Sequence, residues 1–515
     1  MKELKEKLYG EIEGFREKGH QFLAKEISVM DFKHASGGMG VYAERSRNTF
    51  MIRFRTPSGV VSIDEMKWFV DKAEANNLDK IHFTTRQAIQ FHGLSIDPLC
   101  DLMKEALDNN IYTRGAGGNF PRNVAISPLS GVERDEAFDV TSYALLVNRY
   151  FMQRIREYKL PRKLKVSFSN GDKDAAHCSM TDLGFLAVNE DGRKAFKVYI
   201  GGGLGQNPQV GVALDELCAP SEVLFYVEAM VRLFVAEGDY NNRAKARIRY
   251  ILERMGEEKF KNCFMKHLKE VKKCEDLTAS ITNVECSKEG IKTDITDNRL
   301  TEQKQEGLYS VYFHPFGGQA AVKDLRNILN VINNMDDIEL RLTMTEGIYV
   351  RNLNGKEAEE VLKVTAGCGG ETRLAQSVSC IGVPVCQIGL GSSQTMLTEI
   401  LSYFEEKEYA KDVLPSIHIS GCGNSCAFHQ GALIGLTGKK KKFNDVLEDA
   451  FELHINGTFG EGNTKLAKVY GVLLAREIPQ FMYELALNIE AKNVDFEEYA
   501  AKYEDEIVEL VGKFN

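Results

Sequence analysis

The chain is written twice, and a duplication constrains the fold more than any single motif does. The stretch beginning "FMIRFRTPSGVVSIDEMKWFV" at Phe50 aligns without a gap with "YSVYFHPFGGQAAVKDLRNIL" at Tyr309, ending at Leu94 and Leu353. About five positions in forty-five are identical, so what repeats is the apolar pattern and not the residues. Each copy predicts a strand, a glycine turn, an amphipathic helix, a strand, a turn and a strand. Alternation in "MIRFR" and "IQFHG" marks the strands, and helical spacing in "IDEMKWFVDKAEA" marks the helix. The echo continues beyond these units. "LPRKLKVSFSNGDK" at Leu160 matches "LPSIHISGCGNS" at Leu414, and "FKVYIGGGLG" at Phe196 matches "FELHINGTFG" at Phe451. Each half therefore reads as a small β-α-β-β unit followed by a larger α/β unit.

The expected boundaries follow. An N-terminal helical extension covers 1–45, and the first small unit covers 46–112 with its α/β partner at 113–270. A polar, weakly periodic connection fills 271–306. The second small unit covers 307–368, and the second α/β unit 369–515, with a helical, acidic tail from about 464. At 515 residues the chain is too long for one core. A formal net charge of -9 gives no global basic field for nucleic acid or an anionic membrane. No apolar run reaches the roughly 18 residues of a membrane span. The N-terminus reads as a charged amphipathic helix and not as a secretory signal, so a cytoplasmic protein is expected.

Eleven cysteines in such a chain argue for reduced thiols, metal ligation or catalysis, and against a disulfide framework. Cys100, Cys178, Cys218, Cys263, Cys274 and Cys286 are scattered and read as packed residues, and Cys368 has no regular spacing to the rest. Cys380 and Cys386 in "SCIGVPVC", and Cys422 and Cys426 in "GCGNSC", remain. Zinc sites favour two to four residues between paired thiols, which suits the second pair and not the first. A four-thiolate iron–sulfur cluster tolerates longer loops kinked by Gly or Pro, as Gly382, Pro384, Gly421 and Gly423 would supply. Cluster, zinc and unligated thiols all remain open on spacing alone.

The halves differ in charge. Arg53, Arg55, Arg86, Arg122, Lys163 and Lys165 lie in the first half, where the second has threonine, isoleucine and the four cysteines. A pseudo-twofold axis bringing the halves face to face would set a cationic wall against a thiolate wall.

The cysteine pairs, with "MIRFRTPSGV", "TTRQAIQFHG", "PRNV", "LPRKLK", "DLGF" and "GGGLG" in order, resemble the sulfite and nitrite reductase hemoproteins over nearly the whole chain. The resemblance implies an α+β fold: internally duplicated, with two ferredoxin-like half-domains and two larger α/β units around a central cofactor cleft. It implies siroheme and a [4Fe-4S] cluster, with Cys380, Cys386, Cys422 and Cys426 as cluster ligands and Cys426 bridging to the siroheme iron. Arg53, Arg122, Lys163 and Lys165 fall on the family's anion-binding positions, and Arg86 and Gln90 on positions that contact siroheme. Asn424 is a further candidate for the siroheme environment. Arg55 and Arg114 are possible carboxylate partners without a family match. His82, His92 and His429 read as structural. "YIGGGLG" lacks the dinucleotide-binding spacing and reads as a close backbone approach to the macrocycle.

Lys165 favours sulfite over nitrite, since plant-type nitrite reductases tend to carry asparagine there. With no flavin, nicotinamide or second ferredoxin-type motif, electrons must come from a partner, a ferredoxin or else a flavoprotein subunit. Lys439 to Lys442 in "GKKKK" are a candidate docking patch, against the plainer reading of a solvated turn. Two rivals keep the cysteines but need no oxyanion pocket: a non-catalytic electron carrier and a related oxygenase of corrin synthesis.

Overall fold

The computed structural model describes residues 2–281 and 286–514. Among these described residues four five-stranded sheets form two matching pairs. The first small sheet has the order Val41–Ala43, Phe50–Phe54, Ile89–Leu94, Lys80–Phe83, Gln319–Ala321. The second has the order Leu300–Glu302, Leu308–Phe313, Ile348–Asn354, Glu339–Leu342, Val60–Val61. The last strand of each sheet comes from the other half of the chain. Val60 and Val61 pair with Arg341 and Leu340, and Gln319, Ala320 and Ala321 pair with His82, Ile81 and Lys80. Left-handed residues turn the chain off its own sheet at matching places: Ser58 (φ 55°) with Gly59 (φ 70°), and Gly317 (φ 55°) with Gly318 (φ 71°).

The helices after these exchanged strands seal the joint. Ser62 caps Ile63–Ala75 in a reciprocal box with Glu65, a motif that stabilises a helix start by about 1 kcal/mol. Met66, Phe69, Val70 and Ala73 form its buried stripe, and Val322, Leu325, Leu329 and Ile332 that of Val322–Ile332. Both small units and the helices of the N-terminal extension share one continuous core, from Leu8 to Leu362.

Each α/β unit has a core of its own. In the first, Ala125–Ile126, Val166–Ser169 and Leu183–Glu190 run parallel, and Arg193–Ile200 and Val212–Ala213 follow antiparallel. In the second, Val378–Ser379, Ile417–Ser420 and Ile434–Phe443 run parallel, and Val446–Ile455 and Lys468–Leu474 follow antiparallel. The fold is thus α+β and internally duplicated.

Three elements depart from the sequence expectation. Val41–Ala43 falls in the segment read as helical extension, and Leu300–Glu302 in the segment read as connection, yet both are edge strands of the small sheets. Three residues are too few to show a period, and pairing with the neighbouring strand decides their state. Lys468–Leu474 is a strand inside the tail read as helical; helices fill the chain from Ile478 onward.

Candidate cofactor and anion site

The site lies where the two α/β units face each other and the turn at 84–87 of the first small sheet reaches between them. The basic side chains come from strand edges whose alternate residues are core. Ile52 and Phe54 are fully buried, so Arg53 projects from the other face, where cross-strand Gln90 lies beside it. With its amide oxygen toward the guanidinium, Gln90 accepts from Arg53 at 2.5 and 2.8 Å, and Arg53 also donates to the Ala116 carbonyl at 3.0 Å. Leu164 is likewise fully buried, which sends Lys163 and Lys165 together to the opposite side. The backbone of Arg122 joins this edge by donating to Leu164 O at 2.9 Å.

Among the described residues none of these cations forms an ion pair with a carboxylate, although the charge of Asp182 acts on Arg86 and Lys165. Arg86 donates to the carbonyls of Asn123 (2.7 Å) and Val166 (3.0 Å), and its Nε and Nη1 are buried without a partner. Arg122 donates to Gly118 O at 2.9 Å and leaves Nη1 unpartnered. Burial lowers the pKa of both guanidiniums to about 10. Lys163 is held well below the ordinary lysine range by burial, with Lys165 and Arg247 adding repulsion. Burial, helped by Arg86 and Arg247 and opposed by Asp182, brings Lys165 down to about 7. A cluster of enclosed, mutually repelling cations is stable only when an anion compensates it.

The cysteines sit on two loops. Cys380 follows the strand Val378–Ser379, and its Sγ accepts from the Gly421 amide at 3.1 Å. Cys422 and Cys426 lie in the loop after Ile417–Ser420. Burial, then the neighbouring Cys426 thiol, raises the Cys380 pKa to about 12. The Cys422 thiol is pushed up by burial, with Cys426 and Cys386 adding to it. The four thiols therefore form one interacting group. Among the described residues no three His, Cys, Asp or Glu side chains converge on a single-ion site. Thiols that resist ionisation in an enclosed site become ligands when iron supplies the positive charge.

The two walls meet at Cys426, whose ionised form favours the charged forms of Arg53, Lys163 and Lys165. Thr85 Oγ1 donates to Cys426 O at 2.7 Å, tying the turn that carries Arg86 to the cysteine loop. Lys165 Nζ lies 5.6 Å from the centre of the Phe428 ring, two residues after Cys426. Asn424 is exposed and its amide donates to Cys422 Sγ at 3.4 Å.

The other sequence candidates are taken up by packing and pairing around the site. Arg55 is buried against Pro121 O (2.9 Å), and burial lowers it to about 9. Arg114 is engaged with Glu11 (3.7 Å) and the Phe120 ring (4.9 Å), at the N-terminal helix. His82 is buried and lowered to about 3, His92 pairs with Glu44 (3.1 Å), and His429 is buried beside His454. The glycine run approaches the cysteine loop. A Cβ on Gly205 (φ 136°) would come within 3.9 Å of Gly423 O, and Gln430 exchanges hydrogen bonds of 2.9 and 2.7 Å with the Gly205 backbone.

Sequence reasoning missed Tyr42, Asp182, Arg247 and Arg249. The Tyr42 hydroxyl accepts from Gly118 N–H at 2.9 Å, and the charges of Arg122 and Arg53 lower its pKa against the effect of burial. Asp182 accepts from Lys165 N–H (2.8 Å) and from Arg247 (2.8 Å). Arg249 is buried with its Nε unpartnered, near Gly203 and Gly205. The basic run "NNRAKARIRY" was the available signal for the two arginines.

Fold and site together define a duplicated iron–sulfur hemoprotein reductase. Residues 42–109 and 301–366 match the family described as the nitrite/sulfite reductase ferredoxin-like half domain, and 117–272 the nitrite and sulphite reductase 4Fe-4S domain. The chain belongs to the nitrite and sulfite reductase family. The second match falls on the α/β copy without the four cysteines, whose sheet order the cysteine-bearing copy shares.

Similar proteins include a sulfite reductase [ferredoxin] 1 of Mycolicibacterium paratuberculosis, 24% identical over 84% of this chain and 81% of that one. A ferredoxin–nitrite reductase of Leptolyngbya laminosa is 25% identical over 84% and 85%. A sulfite reductase [NADPH] hemoprotein beta-component of Acidithiobacillus ferrooxidans is 26% identical over 77% and 75%. The solved NirA protein of Mycobacterium tuberculosis has the same fold, with a TM-score of 0.78 over 96% of this chain at 20% identity. The family's cofactors are siroheme and a [4Fe-4S] cluster, and the residues present fit both. Four thiols on two facing loops suit the cluster, and the unpartnered guanidinium nitrogens of Arg86, Arg122 and Arg249 suit a macrocycle bearing carboxylates.

Proposed function

We propose that the chain reduces sulfite to sulfide, with six electrons and seven protons giving HS⁻ and three waters. Cys380, Cys386, Cys422 and Cys426 would hold the cluster, and Cys426 would also bridge to siroheme. The siroheme–cluster pair supplies single electrons and an open coordination position for the anion. Arg86, Gln90 and Asn424 would line the macrocycle.

The chain's own contribution is charge and protons. Sulfite loses its hydration on entering the site, at a cost of several kcal/mol. Each cation about 4 Å away returns about 4 kcal/mol at an effective dielectric of 20. Arg53, Arg122, Lys163 and Lys165 supply four such contacts. Lys165, with a pKa of about 7, can hold a proton on Nζ and release it to a departing oxygen near neutral pH. Arg122 and Arg53 stay charged throughout and keep the anion oriented.

The observation that carries the reading is the meeting of Arg53, Lys163 and Lys165 with Cys426. The pair Lys163 and Lys165 favours the dianion sulfite over the monoanion nitrite. Nitrite reduction to ammonia is the second reading, favoured by relatives that carry that name. Electrons would come from a ferredoxin, as the names of two relatives state, or from a flavoprotein subunit. We place the enzyme in the cytoplasm, where such carriers are reduced; among the described residues no helix is long and apolar enough to cross a membrane.

Measuring kcat/KM for both anions with one dye reductant tests the proposal. Sulfite should be preferred, and Lys165→Asn should shift the ratio toward nitrite. A wild-type preference for nitrite would overturn the substrate assignment, and failure to reduce either anion would overturn the reading as a whole.

A further inference from the structure

The lysines of "GKKKK" do not form a free basic patch. Lys439 pairs with Glu452 (3.3 Å), Lys440 with Asp449 and Lys442 with Asp445 (2.7 Å), while Lys441 donates to Val472 O (2.9 Å). With three of the four paired to carboxylates and the fourth bound to a backbone carbonyl, they offer little to an acidic partner.

A different surface is open beside the cysteines. Ile388 is 54% exposed and Leu390 49% exposed, although both are large and apolar. Ile388 follows Cys386 by two residues. The backbone of Leu390 donates to Gly421 O at 2.7 Å, next to Cys422. The patch is therefore fixed to both cysteine loops. It also carries positive charge. Arg45 donates to Cys386 O (3.1 Å) and Gly389 O (2.6 Å), which pins its exposed guanidinium to the loop. Arg47, also exposed, stands two residues further on a left-handed turn (φ 64°). Neither arginine forms an ion pair with a carboxylate among the described residues. Apolar residues rimmed by unpaired cations mark a protein contact surface, and rim charges chiefly set encounter rate.

We infer that Ile388, Leu390, Arg45 and Arg47 form the docking surface for an acidic iron–sulfur electron carrier. The inference rests on the cysteine loops holding the cluster. A carrier seated here would contact the two loops of cluster ligands directly, so one electron passes from its reduced iron to the cluster with no bond made or broken. Charge selects the carrier, since a partner with an acidic face complements Arg45 and Arg47.

The test uses holoenzyme carrying Ile388→Asp or Arg47→Glu, with siroheme and iron content measured by absorbance and metal analysis. Turnover is driven in parallel by a purified acidic ferredoxin and by a small dye reductant. Each variant should lose at least about tenfold in ferredoxin-driven kcat/KM, an effect expected to shrink as salt rises. Its dye-driven rate and cofactor content should match wild type. Equal loss with both reductants, loss of siroheme from Ile388→Asp, or unchanged ferredoxin-driven turnover would each overturn the inference. Wild type that reduces neither anion with the dye would instead defeat the proposed activity. Ferredoxin binding measured by calorimetry on the same proteins still decides the surface in that case.

Discussion

Two loops at equivalent positions, 169–180 and 420–431, share a backbone and differ in what closes them. Asp174 and Ser425 have φ of 49° and 53°, and His177 and Phe428 have φ of 55° and 59°. The Asn170 amide donates to Ser127 Oγ at 3.1 Å where the Gly421 amide donates to Cys380 Sγ at 3.1 Å. Gly171 and Ala175 stand where the second loop has Cys422 and Cys426. In the first loop a carboxylate does the closing. Asp174, fully buried, accepts from Ser169 Oγ (2.7 Å), Cys178 N (2.6 Å), Ser179 N (3.0 Å) and Ser179 Oγ (2.6 Å). In the second loop Ser425 Oγ is buried without a partner, and thiols take the positions around it. One frame thus supports a self-sufficient polar network on one side and, on the other, two of the thiols proposed as cluster ligands.

The largest expected effect breaks the comparison at its centre. Cys426→Ser should abolish dye-driven turnover and release iron, whereas the equivalent exposed Ala175→Ser should leave stability within about 0.5 kcal/mol of wild type. Turnover, iron analysis and thermal melts read both.

Next comes the carboxylate. Asp174→Ala strands several buried donors at about 1–3 kcal/mol each, so stability should fall by about 3 kcal/mol or more. Ser425→Ala, which removes an unsatisfied hydroxyl, should cost less than about 1 kcal/mol or raise stability. Equal denaturation midpoints for the two variants would show that the loops are not held by different means.

A third prediction concerns the wall facing the second loop. Lys165, lowered to about 7, is charged below that pH and neutral above it. kcat/KM for the anion should therefore fall as pH rises through about 7, by up to about tenfold per unit. The corresponding limb in kcat should lie higher, because the bound anion favours the charged form. Lys165→Arg should remove the limb, and a profile unchanged in that variant would remove Lys165 from the proton path.

The smallest effect is expected at the hairpin of the second α/β unit. Replacing Lys439, Lys440 and Lys442 with glutamine breaks exposed ion pairs worth about 0–1 kcal/mol each and should alter ferredoxin-driven turnover less than about twofold.

Much of this was legible in the sequence. The duplication shows as repeated apolar spacing, and the cysteines and basic residues show by type at corresponding places. The edge strands Val41–Ala43 and Leu300–Glu302 were hidden because three residues carry no period. Tyr42 was hidden because it lies in the segment read as helical extension, and only its place on the edge strand brings it to Arg53 and Arg122. Arg247 and Arg249 sit in a basic run that reads as solvated, and only the fold shows them enclosed.

The reciprocal contacts were hidden altogether. Gly205 approaches the loop at Gly423, and Gly460 (φ 147°) the loop at Asp172, each glycine run meeting the opposite half. The exchanged strands Val60–Val61 and Gln319–Ala321 belong to the same class. Local sequence determined the repeat, the donor atoms and the charge on each half, because those depend on spacing and residue chemistry alone. Which loop faces which wall was decided by pairing between segments hundreds of residues apart. No local pattern encodes such pairing, because it depends on how the assembled sheets and cores fit together.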